Sequence, residues 1–372
     1  MLNCIPSTSI SSVRKIISNQ GGSMEFGMFM EFGTRTGASE QDAFSEGFAL
    51  VDAAESWGLD GAWLAELHFN PGRSVLSSPI TIASSIATRT KSLRIGMAVY
   101  VLPLNNPIRI AEEVATIDQI SEGRFELGIG RSGFPRAYDV YGIPYDESRA
   151  RFDEALQILI KCWSGSEFSY NGHFYQISNA QPTPQPYQKP HPPIRIAATT
   201  PETFARLGQQ GWPIFVGLRG MDIHELSENI KVYRKAWSDS GHSGQGKVSL
   251  RMPVYAADSD ADAADQAYES ISSYFGRMGT LYRESAGSAG IGATELRDNR
   301  AARLAAMSYE EMLNTKVAFG STASLIEKFQ YLEEMLGVNG IVAELNPGGL
   351  IPSDKVLKSL KLITHKIMPN FK

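Results

Sequence analysis

The stretch Leu93–Arg131, LRIGMAVYVLPLNNPIRIAEEVATIDQISEGRFELGIGR, constrains the fold more than any other part of the chain. The β-rich apolar run Leu93–Leu102 reads as a strand and is followed by a turn carrying Pro103 and Pro107. An amphipathic helix is expected over Pro107–Ile120, then a turn at Ser121-Glu122-Gly123. A second buried run, Arg124–Ile129, ends in Gly130-Arg131. Two buried strands joined through a helix lie parallel, because a parallel pair needs a crossover and not a hairpin.

The same alternation runs along the chain. Glu25–Met30 and Gly61–Glu66 read as strands one and two, with helices at Glu40–Trp57 and Ser78–Thr90. The opening unit supplies strand three, helix three and strand four, and Asp146–Trp163 follows as helix four. Further strands are expected at Ile194–Ala197, Pro213–Gly217, Val248–Ala256 and Gly340–Leu345. Their helices open at Thr200, Asp222, Ala261 and Ser353, with one more over Thr322–Leu336. Eight such repeats predict an α/β fold, a (β/α)8 TIM barrel. A doubly wound open sheet is the alternative, but no Gly-rich dinucleotide loop follows the first strand.

Two insertions interrupt the rhythm. After helix four, residues 165–193 hold a hairpin signal at Asn171-Gly172 and then six prolines within 181–193. Before the last strand, residues 276–307 are rich in Gly, Ala and charge and show weak periodicity. They are expected as an irregular segment and a candidate lid. Residues 1–23 carry six serines and no acidic residue. They read as a flexible N-terminal tail, or as a transit-type segment, ahead of a single domain over 24–372.

Composition excludes several function classes. With 35 basic against 40 acidic residues and no basic block, nucleic acid is not an expected partner. Two cysteines without a CxxC spacing suggest neither a disulfide framework nor a cysteine zinc site, which suits the reducing cytoplasm. No apolar run approaches the roughly 18 residues of a membrane span. No HExxH or grouped carboxylate signature points to a metal.

In a barrel the chemistry sits where the strands end. That rule selects Met30-Glu31, Glu66-Leu67-His68, Ala98–Tyr100, Gly130-Arg131, Thr199-Thr200, Gly217–Arg219 and Glu344–Asn346. Arg131 follows Gly128-x-Gly130, where glycines would let a ligand approach the backbone and a guanidinium suits phosphate. A surface salt bridge explains Arg131 equally well. Thr199, Thr200 and Thr203 offer hydroxyls at a helix N-terminus, where an anion is favoured. A simple N-cap is the other reading. His68 is the one histidine at a strand end, and it serves either as an acid/base or as a structural partner of Glu66. Met28, Met30, Phe69, Phe134, Tyr138, Leu218 and Phe275 are candidate pocket walls.

Five segments together resemble the bacterial luciferase-like, flavin-dependent monooxygenase family: MEFGMFMEF at 24–32, GLDGAWLAELHF at 58–69, the opening stretch at 93–131, AATTPETFARLGQQGWP at 197–213 and VAFGSTASLIEKF at 317–329. The resemblance implies a barrel that binds FMN, delivered as FMNH2 by a separate flavin reductase. It implies oxygen attack to give a C4a-peroxyflavin, then oxygenation of a small apolar organic substrate. It also implies a homodimer through helices near strands two and three, and a non-prolyl cis peptide at Ala98–Val99.

Carried over by position, the phosphate falls to Arg131, Thr199, Thr200 and Thr203, and the isoalloxazine to Met97, Ala98 and Ala198. His68 is then the catalytic acid/base and 276–307 the mobile lid. Two departures stand out. The family's Glu-His-His triplet is Glu66-Leu67-His68 here, and a luciferase tryptophan falls on Leu218, which argues against aldehyde bioluminescence. An F420-dependent hydride transferase and a non-catalytic flavin-binding protein are the alternatives.

Overall fold

The structure is a computed structural model and describes residues 23–35, 37–286 and 291–372. Except for Ser23, the expected tail lies outside the described residues. Strands are β1 (Glu25–Met30), β2 (Gly61–Leu64), β3 (Arg94–Met97), β4 (Tyr100–Val101), β5 (Phe125–Gly130), β6 (Phe168–Asn171) and β7 (Gln176–Ala180). They continue with β8 (Ile194–Ala197), β9 (Ile214–Gly217), β10 (Val248–Ala256), β11 (Ala318–Gly320) and β12 (Gly340–Glu344). Helices are α1 (Glu40–Ser56), α2 (Pro79–Arg89), α3 (Pro107–Ile120), α4 (Arg136–Tyr141), α5 (Ser148–Cys162) and α6 (Pro201–Gln210). After them come α7 (Ile223–Asp239), α8 (Asp260–Ala286), α9 (Ile291–Ala306), α10 (Tyr309–Thr315), α11 (Thr322–Leu336) and α12 (Ser353–Leu362).

The order around the sheet is β1, β2, β3 with β4, β5, β8, β9, β10 and β12, and β12 pairs with β1 again. Every one of these pairings is parallel, so the sheet closes into the expected (β/α)8 barrel without a free edge. The helices pack outside. In α3, Ile110, Ala111, Val114, Ala115 and Ile117 form the buried stripe, and Asn106 caps the N-terminus through its side chain. Among the described residues no helix is long and apolar enough to cross a membrane.

The lumen is packed in layers. Phe29, Trp63, Ala98, Phe215 and Val342 fill one layer. Below it, near the N-terminal strand ends, Arg195 is 4% exposed and bonds Glu126, Glu25 and Ser249. Its guanidinium lies 4.8 Å from the Trp63 ring centre. Burial acts to raise the Glu25 carboxyl, but Arg195 and Arg94, with Lys247 beyond, outweigh it and hold it at about 2. A carboxylate whose folded pKa is depressed stabilises the fold above its ordinary value of 4.5 and loses that contribution as pH falls through about 2. Urea unfolding should therefore show stability declining across that window, with a shallower decline in Glu25→Gln. Parallel pH profiles for the two proteins would contradict the assignment.

The structure corrects the sequence reading at five places. The expected single strand Leu93–Leu102 is broken into β3 and β4 at residues 98–99. Residues 132–145, between strand four and helix four and given no element in the sequence reading, contain the short helix α4. The hairpin β6–β7 forms, but with a four-residue connection, Gly172–Tyr175, and not a tight Asn-Gly turn. The Glu154 carboxylate draws that connection inward by accepting the amides of His173, Phe174 and Tyr175. The fourth correction concerns 276–307, which is helical and not irregular: α8 runs unbroken to Ala286 and α9 follows. Ile271, Tyr274, Phe275 and Met278 keep helical spacing across Gly276 and bury against Leu304, Met307 and Val317. The strand β11, absent from the sequence reading, extends the sheet beside β10.

Candidate functional site

The Ala98–Val99 peptide is cis. It lies between β3 and β4, at the C-terminal end of the barrel, where the Ala98 amide donates to Leu64 O at 2.7 Å. Met97 is fully buried, and Ala98 sits in the lumen layer beside Leu67, Val99, Trp63 and Phe215. The neighbouring glycines have a different role from the one the sequence suggested. A Cβ on Gly128 would overlap the Met97 carbonyl oxygen and lie 2.8 Å from Phe215 Cε2. A Cβ on Gly130 would lie 2.6 Å from Val99 Cγ2. Both glycines admit the protein's own residues 97–99 and not a ligand.

Strands β5 and β8 are paired, Ile129 opposite Ile196, so their ends bring Arg131 and Ala198 to one corner of the mouth. Arg131 is partly exposed and its Nη1 donates to Ser148 Oγ at 3.0 Å, while its carbonyl accepts from Tyr138 Oη. It is hydrogen-bonded to a neutral hydroxyl and forms no ion pair among the described residues. Ala198 is fully buried, and its amide donates to Phe215 O at 2.9 Å.

Thr200 is the N-cap of α6, yet its side chain does not cap a backbone amide. Its hydroxyl instead faces that of Thr203, 2.9 Å away. Thr200 thus holds the N-cap position without the side-chain bond to a backbone amide that the N-cap reading expects. Thr199 is exposed, and its carbonyl accepts from Arg300 Nη2 of α9 at 3.2 Å. The buried Nε of Arg300 has no partner among the described residues. Two facing hydroxyls and a helix N-terminus thus follow β8, with Arg300 on the Thr199 carbonyl, and Arg131 follows the paired strand β5.

His68 serves the structural reading without losing the chemical one. Its Nε2 lies 2.8 Å from Glu66 Oε1, and Glu66 Oε2 accepts the Val101 amide at 2.6 Å. With Nε2–H donated to the carboxylate, Nδ1 is left to accept from Tyr141 Oη, 3.3 Å away. Burial and the Glu66 carboxylate both push the Tyr141 phenol up, so it stays protonated. Sequence reasoning missed Tyr141 because it lies on α4, inside a stretch to which the sequence assigned no element.

Across the mouth from the threonine corner, β10, β12 and β1 carry a charged cluster that the sequence reading did not assemble. Arg73 forks onto the Glu31 carboxylate, and Arg251 bonds Glu344 and approaches Glu31 at 3.3 Å. The Arg251 guanidinium lies 3.3 Å from the Phe29 ring centre, and Tyr274 Oη reaches Glu344 at 3.4 Å. Burial acts to raise the Glu31 carboxyl, but Arg73 and Arg251 hold it below the ordinary carboxylate range. The signal lay in β10, whose buried run VSLRMPVYA contains an arginine where an apolar residue is expected.

Arg219 leaves β9 toward this cluster, its Nη1 4.0 Å from Met278 Sδ of α8. The turn that carries it is clamped by the buried Lys316, whose Nζ donates to the carbonyls of Leu218 at 3.0 Å and Met221 at 2.8 Å. Two clefts open beside α8. One, of about 480 Å³, is lined by Phe69, Phe134 and Leu281 among others. The other, of about 420 Å³, is lined by Asn70, Arg73, Tyr274, Arg277 and Met278 among others. Tyr138, Leu218 and Phe275, expected as pocket walls, are shut into the core.

A family described as luciferase-like monooxygenase matches residues 24–339. An uncharacterized protein of Sinorhizobium fredii, y4wF, is 36% identical over 65% of this chain and 74% of its own. The oxygenase component of a flavin-dependent trigonelline monooxygenase from Acinetobacter baylyi is 28% identical over 64% of this chain and 67% of its own. In three dimensions the chain is similar to the oxygenating constituent of 3,6-diketocamphane monooxygenase from Pseudomonas putida, a type II Baeyer–Villiger enzyme solved in complex with FMN. The TM-score is 0.79 at 22% identity, covering 94% of this chain and 99% of that one.

Proposed function

The chain belongs to the luciferase-like monooxygenase family, and on that footing we propose that it is the oxygenase component of a two-component system. It takes FMN reduced by a separate flavin reductase and places one oxygen atom of O2 in a small organic substrate. The naming of one relative as an oxygenase component and the FMN bound to a structural neighbour support this reading. The observation that carries it is the corner formed by Arg131, Ala198, Thr199, Thr200 and Thr203 at the start of α6.

Arg131, Arg300 and the facing hydroxyls of Thr200 and Thr203 would hold the phosphate, with the α6 N-terminus behind them. Met97, Ala98 and Ala198 would form the wall against the ring. Bound reduced FMN would supply the two electrons that activate O2, the second oxygen atom leaving as water. Glu66 orients His68, so a proton moves at Nδ1 with Tyr141 as its partner. The outer half of α8, with α9, covers the mouth and excludes water. A homodimer through the helices beside β2 and β3 belongs to the same reading.

The test is an anaerobic titration with FMNH2 and, separately, with reduced F420, followed by rapid mixing with oxygenated buffer. The expected result is stoichiometric FMNH2 binding and a flavin reoxidation time course distinct from that of free FMNH2. Binding of F420 without FMN would overturn the reading in favour of hydride transfer. A reoxidation course identical to that of free flavin would favour a flavin carrier.

A further inference from the structure

The cluster at β10, β12 and β1 holds more positive than negative charge. Its carboxylates are Glu31, held by Arg73 and Arg251, and Glu344, whose Oε1 is held by Arg251 while its buried Oε2 has no partner among the described residues. Two more guanidiniums face the same region. Arg277 of α8 donates to the carbonyls of Gly72 at 3.4 Å and Gly348 at 3.0 Å. Arg219 has only the weak acceptor Met278 Sδ, and no carboxylate pairs with it among the described residues. The Nε of Arg251 is buried without a partner as well. Burial disfavours a cation at Arg219, and Arg73 and Arg251 feel it as a like charge, while the Glu344 and Glu31 carboxylates favour it. Like-charge guanidiniums in a partly enclosed site, with too few carboxylates, are the arrangement that an incoming oxyanion completes.

We propose that Arg219, with Arg251 and Arg73 in the same cluster, receives a carboxylate or similar oxyanion on the substrate, whose apolar body lies against Met278, the residue that contacts Arg219 and lines the cleft shared with Arg73 and Leu281. The substrate of this enzyme is then an organic anion and not the wholly apolar molecule the lining residues suggested. What becomes of the bound molecule rests on the monooxygenase reading above, whereas its binding does not. Strands β10, β12 and β1 lie across the barrel from the β5–β8 corner assigned to the flavin phosphate, whereas Arg219 leaves β9, the neighbour of β8, so competition between FMN and the second anion is part of the test. The turn bearing Arg219 is held rigid by Lys316, which suits a receptor that must keep one geometry. Glu284 is exposed, lines the same cleft and would turn anions away from that part of it.

Calorimetry with benzoate and its neutral isostere benzamide tests the proposal on the full-length protein, with and without FMN. Benzoate should bind at least tenfold more tightly than benzamide. Arg219→Gln should remove that preference, and Arg219→Lys should retain part of it. Arg109→Gln should leave it intact, since Arg109 is an exposed residue of α3 paired to Glu113. Circular dichroism verifies that each variant is folded, and the lysine variant serves if the glutamine variant is not. Equal affinity for the two probes, or an undiminished preference in Arg219→Gln, overturns the proposal. Displacement of benzoate by FMN would assign the cluster to the flavin phosphate and also overturn it. Absorbance reports FMN binding in the same samples. FMN binding without a benzoate preference counts against the anion site alone, and the converse counts against the flavin reading alone.

Discussion

Gly128→Ala should yield little or no folded protein. The added methyl would overlap the backbone oxygen of Met97 and crowd Phe215 in the lumen. Neither neighbour can step aside, because Met97 is held in β3 by its pairing with Leu64 and Phe215 by the β9 ladder. Overpacking against backbone in a closed barrel costs roughly 4 kcal/mol or more, at the upper end of single substitutions. That is a large fraction of the stability of an ordinary domain. Soluble yield and thermal unfolding are the measurements. Gly130→Ala is the informative companion, since its methyl would meet a side chain, Val99 Cγ2, and not backbone. Its defect should be smaller and should be relieved by Val99→Ala, while that second change should not rescue Gly128→Ala. A Gly128→Ala protein as stable as wild type would mean that the glycine spacing serves a ligand after all.

Arg131→Ala combined with Thr200→Ala should weaken FMN binding by about 10²- to 10⁴-fold, because each change removes a charged or charge-facing hydrogen bond worth about 1.5–3 kcal/mol. Folding should survive. Arg131 has only a hydroxyl and no ion-pair partner to abandon, and the Thr200 side chain does not cap α6. Flavin fluorescence quenching against FMN, with riboflavin as the control lacking the phosphate, reads the effect. The double variant should bind FMN no better than wild type binds riboflavin. Unchanged FMN affinity would remove the phosphate from this corner and with it the whole orientation of the ring.

Much of the barrel was legible before any coordinates. The helix over Pro107–Ile120, the strand over Val248–Ala256 and the helix over Thr322–Leu336 occur with the expected bounds. Local period, Pro at a helix start and Gly at a helix end depend on neighbours within a few positions, so they can be read from one stretch of chain. The cis bond at Ala98–Val99 was also anticipated, through the resemblance of Leu93–Arg131 to a known family. The reading failed where local composition misled. Gly276 and Gly279 disguised the helix that continues to Ala286, because its apolar face is completed by Leu304 and Met307, far along the chain.

The candidate site divides in the same way. The strand-end rule alone placed Glu31, Glu66, His68, Arg131, Thr200, Arg219 and Glu344 at the mouth, since a parallel barrel puts every strand's C-terminus on one side. Their partners could not be found that way. Tyr141 reaches His68, Arg300 reaches Thr199, and Arg73 and Arg251 meet at Glu31, each across many tens of residues. Sequence by itself therefore determined the barrel, its flavin-family character and which residues face the mouth, because those follow from period and chain direction. Only the tertiary structure decided that the glycines of β5 serve Met97 and Val99, and that Arg131 and Arg219 have no carboxylate partner among the described residues. Steric fit and charge balance are sums over neighbours that closing the barrel brings together.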